Sequence, residues 1–387
     1  MRNRRSILWL AALTLAVGPL PGQTPDWQDP ARAIAVRAEE SPLAVASRDC
    51  SASEIRPRGG AVVIDLNCRL ELRNDSKKAI RGAALAVSTL PSAGTSSAGG
   101  RASVFAPSLN VAPGDAFPIE VRVRLVRPLP GQAAGPLAEI AVDGALFTDL
   151  AFAGVDKTGS SERLTRYEAA ARRDRSRLQA LLAKAGKEGL RGEMLATLER
   201  RARRPTLEAR LSGGSGRAVV ASAETRNRVA LALVNLEQAP LRLLAGEGQG
   251  GAVSDAPGLQ IRNLSGKQVR AFEFAWLVSD ESGRRERAAA VPFSGLSIAP
   301  GAEAEVRSGR RYELRRRTGG TFQPSAMSGY LRSVEFTDGS RWSASHAELA
   351  AAALLQFEPV TPEELRLASI YRREGVDGLV RELERMR

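Results

Sequence analysis

The 387-residue chain is predicted to be mainly β, with two antiparallel β-sandwich domains, an intervening helical hairpin and short C-terminal helices. Three observations predict this fold class. A strand-turn-strand phrase occurs twice, about 190 residues apart. Short segments of alternating apolar and polar residues, separated by Gly, Pro, Asn and Ser, surround both copies. Between the copies lies a stretch with helical spacing of its apolar residues.

Composition shifts along the chain set the expected domain boundaries. Each sandwich is about 100 residues of short strands, which is an ordinary domain length. The divisions are 1–22 as a signal peptide, 23–40 as a linker, 41–156 as the first sandwich, 157–205 as the helical hairpin, 206–227 as a second linker, 228–347 as the second sandwich and 348–387 as C-terminal helices.

The first 22 residues have the order of an export signal. Three arginines precede an apolar run from Ile7 to Leu20, and the helix-breaking pair Pro21 and Gly22 follows. The run is too short to cross a bilayer, which takes about 20 residues. We therefore expect a periplasmic or extracellular protein whose mature chain has no membrane span. Arg4 and Arg5 leave both the general and the twin-arginine export routes open.

The repeated phrase reads LELRNDSKKAIRGAALAV from Leu70 to Val87 and LQIRNLSGKQVRAFEFAW from Leu259 to Trp276. Period-two alternation on both sides predicts two strands, because successive side chains of a strand point to opposite faces. The central Arg-Asn-x-Ser predicts a tight turn, since Asn and Ser hydrogen-bond their own main chain. A duplicated domain is the simplest explanation.

Other landmarks recur around each copy in the same order. Asn74 and Pro113 are 39 residues apart, and Asn263 and Pro300 are 37 apart, so the spacing is kept. An Asp-Gly pair between apolar runs predicts a hairpin turn. The matched segments are Ser41-Pro42-Leu43 with Ala239-Pro240-Leu241, Ala112-Pro113-Gly114 with Ala299-Pro300-Gly301, and Asp143-Gly144 with Asp338-Gly339.

The strand-turn-strand phrase followed by an Ala-Pro-Gly corner resembles bacterial extracytoplasmic immunoglobulin-like modules, sometimes called FxLYD domains. The segment that carries the resemblance in the second copy runs from Phe274 to Asp280, with Gly283 after it. It departs from the compact family spelling, and the first copy has no aromatic residue there. The resemblance covers only the two repeats and implies a binding or spacer module without naming a ligand.

Two cysteines, Cys50 and Cys68, are the whole thiol content of the chain. In an exported protein such a pair is expected to form a disulfide, here between neighbouring strands of the first repeat. The closed loop would stabilise the fold by about 3 kcal/mol. A metal site built from two thiols and one distant histidine is the less favoured alternative.

The helical stretch is strongly basic. Residues 161–204 contain thirteen Arg or Lys against six Asp or Glu, and SGGSG at 212–216 reads as a flexible joint. A solvated helix face is the first interpretation, and contact with an anionic envelope polymer is the second. Nucleic acid is disfavoured because stacking aromatics are scarce. The candidate anionic-partner contacts are Arg172, Arg173, Arg200, Arg201, Arg203, Arg204, Arg315, Arg316 and Arg317.

No set of residues predicts catalysis or a cofactor. His346 is the single histidine, and no Gly-x-Ser-x-Gly motif accompanies it. The letters from Gly246 to Gly251 satisfy G-x-G-x-x-G, but the next residues do not start the helix that a dinucleotide site needs. No catalytic, cofactor or metal residue is therefore assigned. Paired carboxylates such as Asp280 with Glu281, or Glu363 with Glu364, keep a glycosidase open as an alternative.

The second repeat is rich in aromatic residues. Phe272, Phe274 and Trp276 share one strand face, which favours sandwich core over a ligand surface. Trp342 follows a predicted hairpin tip and is the candidate ligand-contacting aromatic. The Asn-x-Ser triplets at Asn74 and Asn263 fit a glycosylation pattern but also fit turns.

The sequence therefore predicts an exported, non-enzymatic binding or scaffolding protein of a bacterial envelope, whose partner is an envelope protein or anionic polymer. A polysaccharide-acting hydrolase using paired carboxylates is the alternative. A third hypothesis makes the helical hairpin, residues 157–205, a self-association element.

Overall fold

The computed structural model describes residues 28–90, 100–128, 135–203, 205–213, 228–251 and 253–386. The chain is mainly β, with several sheets, a long central helix and a C-terminal helix. It divides into two compact units. The first comprises Met1–Leu190 together with Pro362–Arg387, and the second comprises Arg191–Thr361. The predicted signal peptide, residues 1–22, lies outside the described residues.

Among the described residues, the first unit has a one-turn helix followed by nine strands, and we call these nine strands the first module. One sheet has the order β1-β8-β5-β6 with β9 on β8, and in the other sheet β4 pairs with β2, β3 and β7. The elements are α1 Pro30–Ala33, β1 Ile34–Arg37, β2 Leu43–Asp49, β3 Glu54–Arg58, β4 Ala61–Asn74, β5 Ile80–Thr89, β6 Arg101–Ala106, β7 Ala116–Pro128, β8 Ala138–Phe147 and β9 Phe152–Ala153.

Strict alternation builds the core of the first module. Every even-numbered side chain of β4 from Val62 to Asn74 is buried, while its odd-numbered side chains face outward or are only partly covered. One hydrophobic cluster takes side chains from both sheets, such as Ile64 of β4 and Leu85 of β5. The cluster is almost wholly aliphatic.

We call the strands β10 to β20 of the second unit, whose ranges follow, the second module. Its large sheet has the order β16-β15-β19-β11-β12-β14-β17 with β20 on β19, and a small sheet has the order β10-β18-β13. The strands are β10 Leu207–Gly213, β11 Arg228–Val234, β12 Leu241–Gln249, β13 Val253–Asp255, β14 Gly258–Asn263, β15 Val269–Ser279, β16 Arg285–Ile298, β17 Glu303–Val306, β18 Arg311–Arg316, β19 Ala326–Phe336 and β20 Arg341–Ser343.

The core of the second module is aromatic. Phe272, Phe274, Trp276 and Phe293 are all buried, and the rings of Phe272 and Phe293 stack with centroids 4.5 Å apart. This confirms the prediction that the aromatic row on β15 is core. Strand β10 lies in the predicted linker 206–227, whose residues 214–227 are outside the described residues.

The two modules pair their strands in the same way. β1 is parallel to β8, as β11 is parallel to β19. β5 lies antiparallel between β6 and β8, as β15 lies between β16 and β19. The β2-β4-β7 set corresponds to β12-β14-β17. The β5–β8 and β15–β19 ladders also have register shifts at equivalent points, after Ile80 and Val269 and after Ala84 and Glu273.

The stretch predicted as a helical hairpin forms α2 Ser160–Ala202, in which two helical segments meet at a kink. At the kink Gly186 alone leaves the helical conformation, with φ 64° and ψ −163°, so the segments join without the loop of a hairpin. That positive φ suits glycine. Gly189 and Gly192 lie within the second helical segment. The boundary between the two units lies in α2, because the chain up to Leu190 belongs to the first unit and Arg191–Thr361 to the second.

Two helices and a 3₁₀ turn follow the second module: α3 His346–Ala351, the turn Leu355–Phe357 and α4 Pro362–Arg385. α3 has a capping box, in which Ser345 and Glu348 satisfy each other's backbone groups. α4 begins at Pro362 and consists of two helical segments that meet at a kink at Gly375, in the region where short C-terminal helices were expected. Its interruption at Gly375 has φ 70° and ψ −168°, close to the values at Gly186.

One predicted landmark was misaligned. Asp143-Gly144 does not form a hairpin turn, because both residues lie inside β8. The turn after β8 contains Asp149, whose carboxylate accepts a hydrogen bond from the Ala151 backbone N–H at 3.0 Å. Asp338 does the same for Ser340 after β19, at 2.9 Å. The matching triplets are therefore Phe147-Thr148-Asp149 and Phe336-Thr337-Asp338. Among the described residues, no helix is long and apolar enough to span a membrane.

Candidate functional site

The predicted disulfide is confirmed. Cys50 follows β2 and Cys68 lies on β4, and their sulfur atoms are 2.08 Å apart. β2 and β4 are neighbours in the sheet, as the sequence analysis expected. A disulfide of this kind is typical of oxidising compartments.

The first copy of the repeated phrase forms a closed hydrogen-bond network. The Asn74 amide is fully buried and donates to the carbonyl oxygens of Lys78, at 2.9 Å, and Val111, at 3.1 Å. Its side-chain oxygen accepts from the Ser76 backbone N–H at 3.0 Å and from the Ser76 hydroxyl at 2.6 Å. The ammonium of Lys78 reaches Asp149 at 2.6 Å and thereby lowers the pKa of that carboxyl.

The second copy repeats this network. The fully buried Asn263 amide donates to the carbonyl oxygens of Lys267, at 2.8 Å, and Ile298, at 3.0 Å, and accepts from Ser265. Lys267 lies 2.8 Å from Asp338 and lowers its pKa. Both asparagines hold the turn to the rest of the module, so the phrase is a fold determinant. Because these side chains are buried and bonded, the folded chain does not present them as glycosylation acceptors.

The basic residues predicted on the helix do not share one exposed face. Arg172 is paired with Glu168 at 3.0 Å and donates to the Thr148 carbonyl. Arg203 contacts Glu199 at 3.3 Å and the Gln356 side chain at 3.0 Å. Arg200 lies 3.3 Å from the Thr197 hydroxyl, Arg173 and Arg201 are exposed, and Arg204 is outside the described residues.

In the second predicted basic cluster, Arg315 to Arg317, two of the three arginines contact other side chains of the chain. Arg315 pairs with Glu313 at 2.7 Å. Arg316 covers the ring of Phe322, with 5.3 Å to the centroid, and lies 3.9 Å from Asp280. Arg317 is exposed. Trp342, the candidate ligand aromatic, is half-buried on β20 and packs against the hydrophobic clusters of the second unit.

His346 and the glycine-rich segment, which the sequence analysis considered for catalysis and cofactor binding, have structural roles. His346 starts α3, and its Nε2 lies 3.3 Å from a Glu193 carboxylate oxygen. The glycine-rich letters run through β12, and the next element is β13, not the helix that a dinucleotide site needs. Gly248 instead allows close packing, because a Cβ there would lie 2.3 Å from the Met327 sulfur.

A buried ion network in the first unit is the most elaborate polar cluster among the described residues, and we call it the Glu363 network. Glu363 of α4 is 1% exposed. It lies 3.0 Å from Arg175 of α2 and 2.8 Å from Arg366, and it accepts the Ser108 hydroxyl at 2.6 Å. Arg175 also reaches Glu168 at 2.6 Å. The next acid, Glu364, pairs with Arg177 at 2.9 Å.

Burial alone would raise the pKa of the Glu363 carboxyl, but hydrogen bonding and charge from Arg366, with help from Ser108 and Arg175, hold its pKa below the usual value. Burial raises the pKa of the Tyr167 hydroxyl, which lies 3.5 Å from Glu363. These shifts keep the carboxylate charged and the phenol neutral. The arrangement therefore suits helix docking and not proton transfer near neutral pH.

Sequence reasoning missed this network, although one signal was present. Leu164, Glu168, Ala171, Arg175 and Leu178 follow one another at intervals of four and three residues, so the charged pair belongs to the apolar stripe of α2. All five are 3% exposed or less. Charges on such a stripe predict a buried ion pair.

The second unit has a smaller network. The Tyr330 hydroxyl donates to Glu358 at 2.6 Å, and Arg332 bridges Glu358, at 2.9 Å, and Glu273, at 2.8 Å. Burial and the charge of Glu358 raise the pKa of Tyr330. Here too, a carboxylate that follows the module is held against a tyrosine and an arginine.

The depressions in the first unit include the following two. One, of about 250 Å³, is lined by charged residues that include Arg37, Glu139 and Asp143. Arg37 and Glu139 are paired at 2.8 Å, and Asp143 accepts the Lys157 backbone N–H at 2.7 Å. The other, of about 350 Å³, lies beside Cys50. The charged groups named here are bonded within the chain, so we assign a ligand to neither depression.

Comparison with known proteins adds no identity. No family model matches the chain, and no curated protein matches it. Among solved structures, the chain is weakly similar to a transglutaminase from red sea bream, with 8% identity and a TM-score of 0.11. That alignment covers 72% of this chain and 31% of the transglutaminase chain.

Proposed function

We propose that the chain is an exported, non-enzymatic binding or scaffolding protein of a bacterial envelope, built from two related immunoglobulin-like β-sandwich modules. The observation that carries the proposal is the repetition of one strand-pairing scheme and one buried Asn-Ser-Lys turn network in both units. The function of such a repeated fold depends on the side chains that are exposed on the surfaces of its modules.

The sandwich assignment is supported by how the cores are composed. In the first unit, a single cluster joins residues of the β1-β8-β5-β6 sheet with residues of the β4 sheet. In the second unit, one cluster joins Leu314 of the small sheet with Phe274 and Ile261 of the large one. Side chains from two sheets that share one core are what face-to-face packing produces.

The export assignment is supported by the signal pattern of residues 1–22 and by the disulfide between Cys50 and Cys68. Oxidised cysteine pairs persist mainly outside the cytosol.

The acids considered as candidate hydrolase residues bind other groups of the chain. Glu363 and Glu364 are at most 2% exposed and paired with arginines. Asp280 accepts hydrogen bonds from the Ser282 backbone and hydroxyl in a turn. A glycosidase needs two carboxylates that face a substrate cleft. These placements favour the binding proposal over the hydrolase.

The proposal is tested by capture. The chain without residues 1–22, immobilised through a C-terminal tag, is incubated with bacterial envelope extract beside the same bait unfolded by reduction and heat. We expect a reproducible set of proteins or an anionic polymer on the folded bait only. Equal retention on both baits, or hydrolysis of envelope polysaccharide by the folded chain, would contradict the proposal.

A further inference from the structure

Two arginines on the outer face of the second module lie directly opposite each other. Arg242 of β12 is the cross-strand partner of Arg262 of β14, and both are exposed. Directly opposed side chains in an antiparallel pair have Cβ atoms about 5 Å apart, and like charges there are destabilising. No described carboxylate lies within ion-pair distance of either guanidinium. Glu303 of β17 is opposite Arg262 on its other side.

Elsewhere the strands avoid or repair this situation. Opposed pairs such as Arg69 with Glu120, and Arg210 with Glu313, have opposite charges. The opposed acids Glu54 and Asp65 are bridged by Arg56, at 3.0 and 3.1 Å. The Arg242–Arg262 pair has no such bridge among the described residues.

The first module is an internal reference for the same place. Arg73 corresponds to Arg262, and its guanidinium is neutralised by Asp75 at 2.6 Å. In the second module Leu264 stands where the first has Asp75, and Arg242 stands where the first has Ala44. At this place the second module has therefore gained one arginine, and its acid is Glu303 on the neighbouring strand, where the first module has Ala116.

Two exposed leucines flank the arginines. Leu244, two residues beyond Arg242, is 41% exposed, and Leu264, two residues beyond Arg262, is 55% exposed. We call Arg242, Leu244, Arg262 and Leu264 the Arg-Leu patch. Leu244 lies at the register shift between Leu243 and Ala245, and Leu264 directly follows the end of β14. Cations with exposed apolar neighbours match a partner that offers both carboxylates and apolar side chains.

We propose that the Arg-Leu patch binds an extended acidic peptide segment of a partner protein, with glutamate or aspartate and apolar side chains at alternate positions. Guanidinium groups bind carboxylates in a two-pronged geometry. The leucines favour a peptide over an anionic glycan, since a glycan offers them no apolar side chain. This inference rests on the proposed binding function and names the chemistry of the partner.

The test is a titration of the full signal-free chain with the fluorescent peptide Ser-Leu-Ser-Glu-Ser-Leu-Ser, which places its glutamate and leucines on one face when extended, at low salt and followed by anisotropy. We expect R242A/R262A to weaken binding about tenfold, as the loss of charge-assisted bonds implies. L244S/L264S should weaken it about threefold. The matched control R58A/R69A removes two exposed arginines of the first module and should change binding less than twofold.

Three results would overturn the inference. One is no binding of the peptide by the parent chain. Another is equal weakening by R58A/R69A, which would indicate diffuse attraction to a basic protein. A third is tighter binding of polygalacturonate that depends on the arginines but not the leucines. If envelope capture succeeds while the titration fails, the binding function stands and only this surface is wrong.

Discussion

The two modules share their pairing scheme and their Asn-Ser-Lys turn but differ in nearly everything around them. The first has an aliphatic core and a disulfide, and the second has an aromatic core and no cysteine. Leu85 and Val87 of β5 correspond to Phe274 and Trp276 of β15 by strand register. The difference teaches which features specify this fold. Turn chemistry and strand register are kept, whereas core volume is reached in two ways.

The largest expected effect separates the two cores. Trp276→Ala should lower the free energy of unfolding of the second unit by about 4 kcal/mol, because it empties a large buried volume. Val87→Ala, at the corresponding position, should cost the first unit about 2 kcal/mol. Calorimetry that resolves the two transitions would check this, and equal losses would mean that the cores are not organised as described.

The disulfide should matter in one module only. C50S/C68S should destabilise the first unit by about 3 kcal/mol, because the unfolded chain regains the freedom of the closed loop. The second transition should keep its temperature. A fall in both transitions would show that the units unfold together.

The shared turn should respond equally in both modules. Asn74→Ala and Asn263→Ala each leave two carbonyl groups without their amide donor, so we expect about 2 kcal/mol lost from the respective unit. Denaturant unfolding of each variant measures the loss. Asp75→Ala, in the same turn but exposed, is the control and should cost less than about 1 kcal/mol. If neither asparagine substitution lowers the free energy of unfolding, the turn network does not stabilise the fold.

The smallest expected effect is the pH dependence of the stability that the Glu363 network gives to the first unit. The pKa of Glu363 is lowered in the folded state, so its stabilising contribution is complete above its ordinary value of 4.5 and is lost as the pH falls below it. Glu363→Gln should therefore destabilise the first unit at pH 7 and matter less at pH 3. Thermal unfolding across this range tests the sign. A difference that grows toward acid would contradict the assignment.

Much of the fold could be predicted because its signals are local. Alternation in β4, the Asn-x-Ser turn and the cysteine pair each depend on neighbours within about twenty residues. The Asp143-Gly144 turn was wrong because a turn signal can also serve inside a strand, where Gly144 adopts a positive φ. The helical stretch was predicted from its own periodicity, but its two segments meet at Gly186 without the loop that a hairpin needs.

The candidate site was less predictable. Arg172 and Arg315 belong to a sequence of high positive charge, but whether each faces solvent or an acid is decided by residues far away. Glu363 and Arg175 are 188 positions apart, and the residues around each of them do not indicate which partner it pairs with. The Arg-Leu patch is visible only in the strand register, which sets Arg242 opposite Arg262.

By itself the sequence determined that this chain is mainly β, that one strand-turn-strand unit occurs twice and that its two cysteines form a disulfide, because periodicity and turn chemistry act over short distances. Only the tertiary structure decided which charges are buried, which are neutralised and which remain on a surface. Desolvation and Coulomb attraction depend on through-space distance, and the order of residues along the chain does not contain that distance.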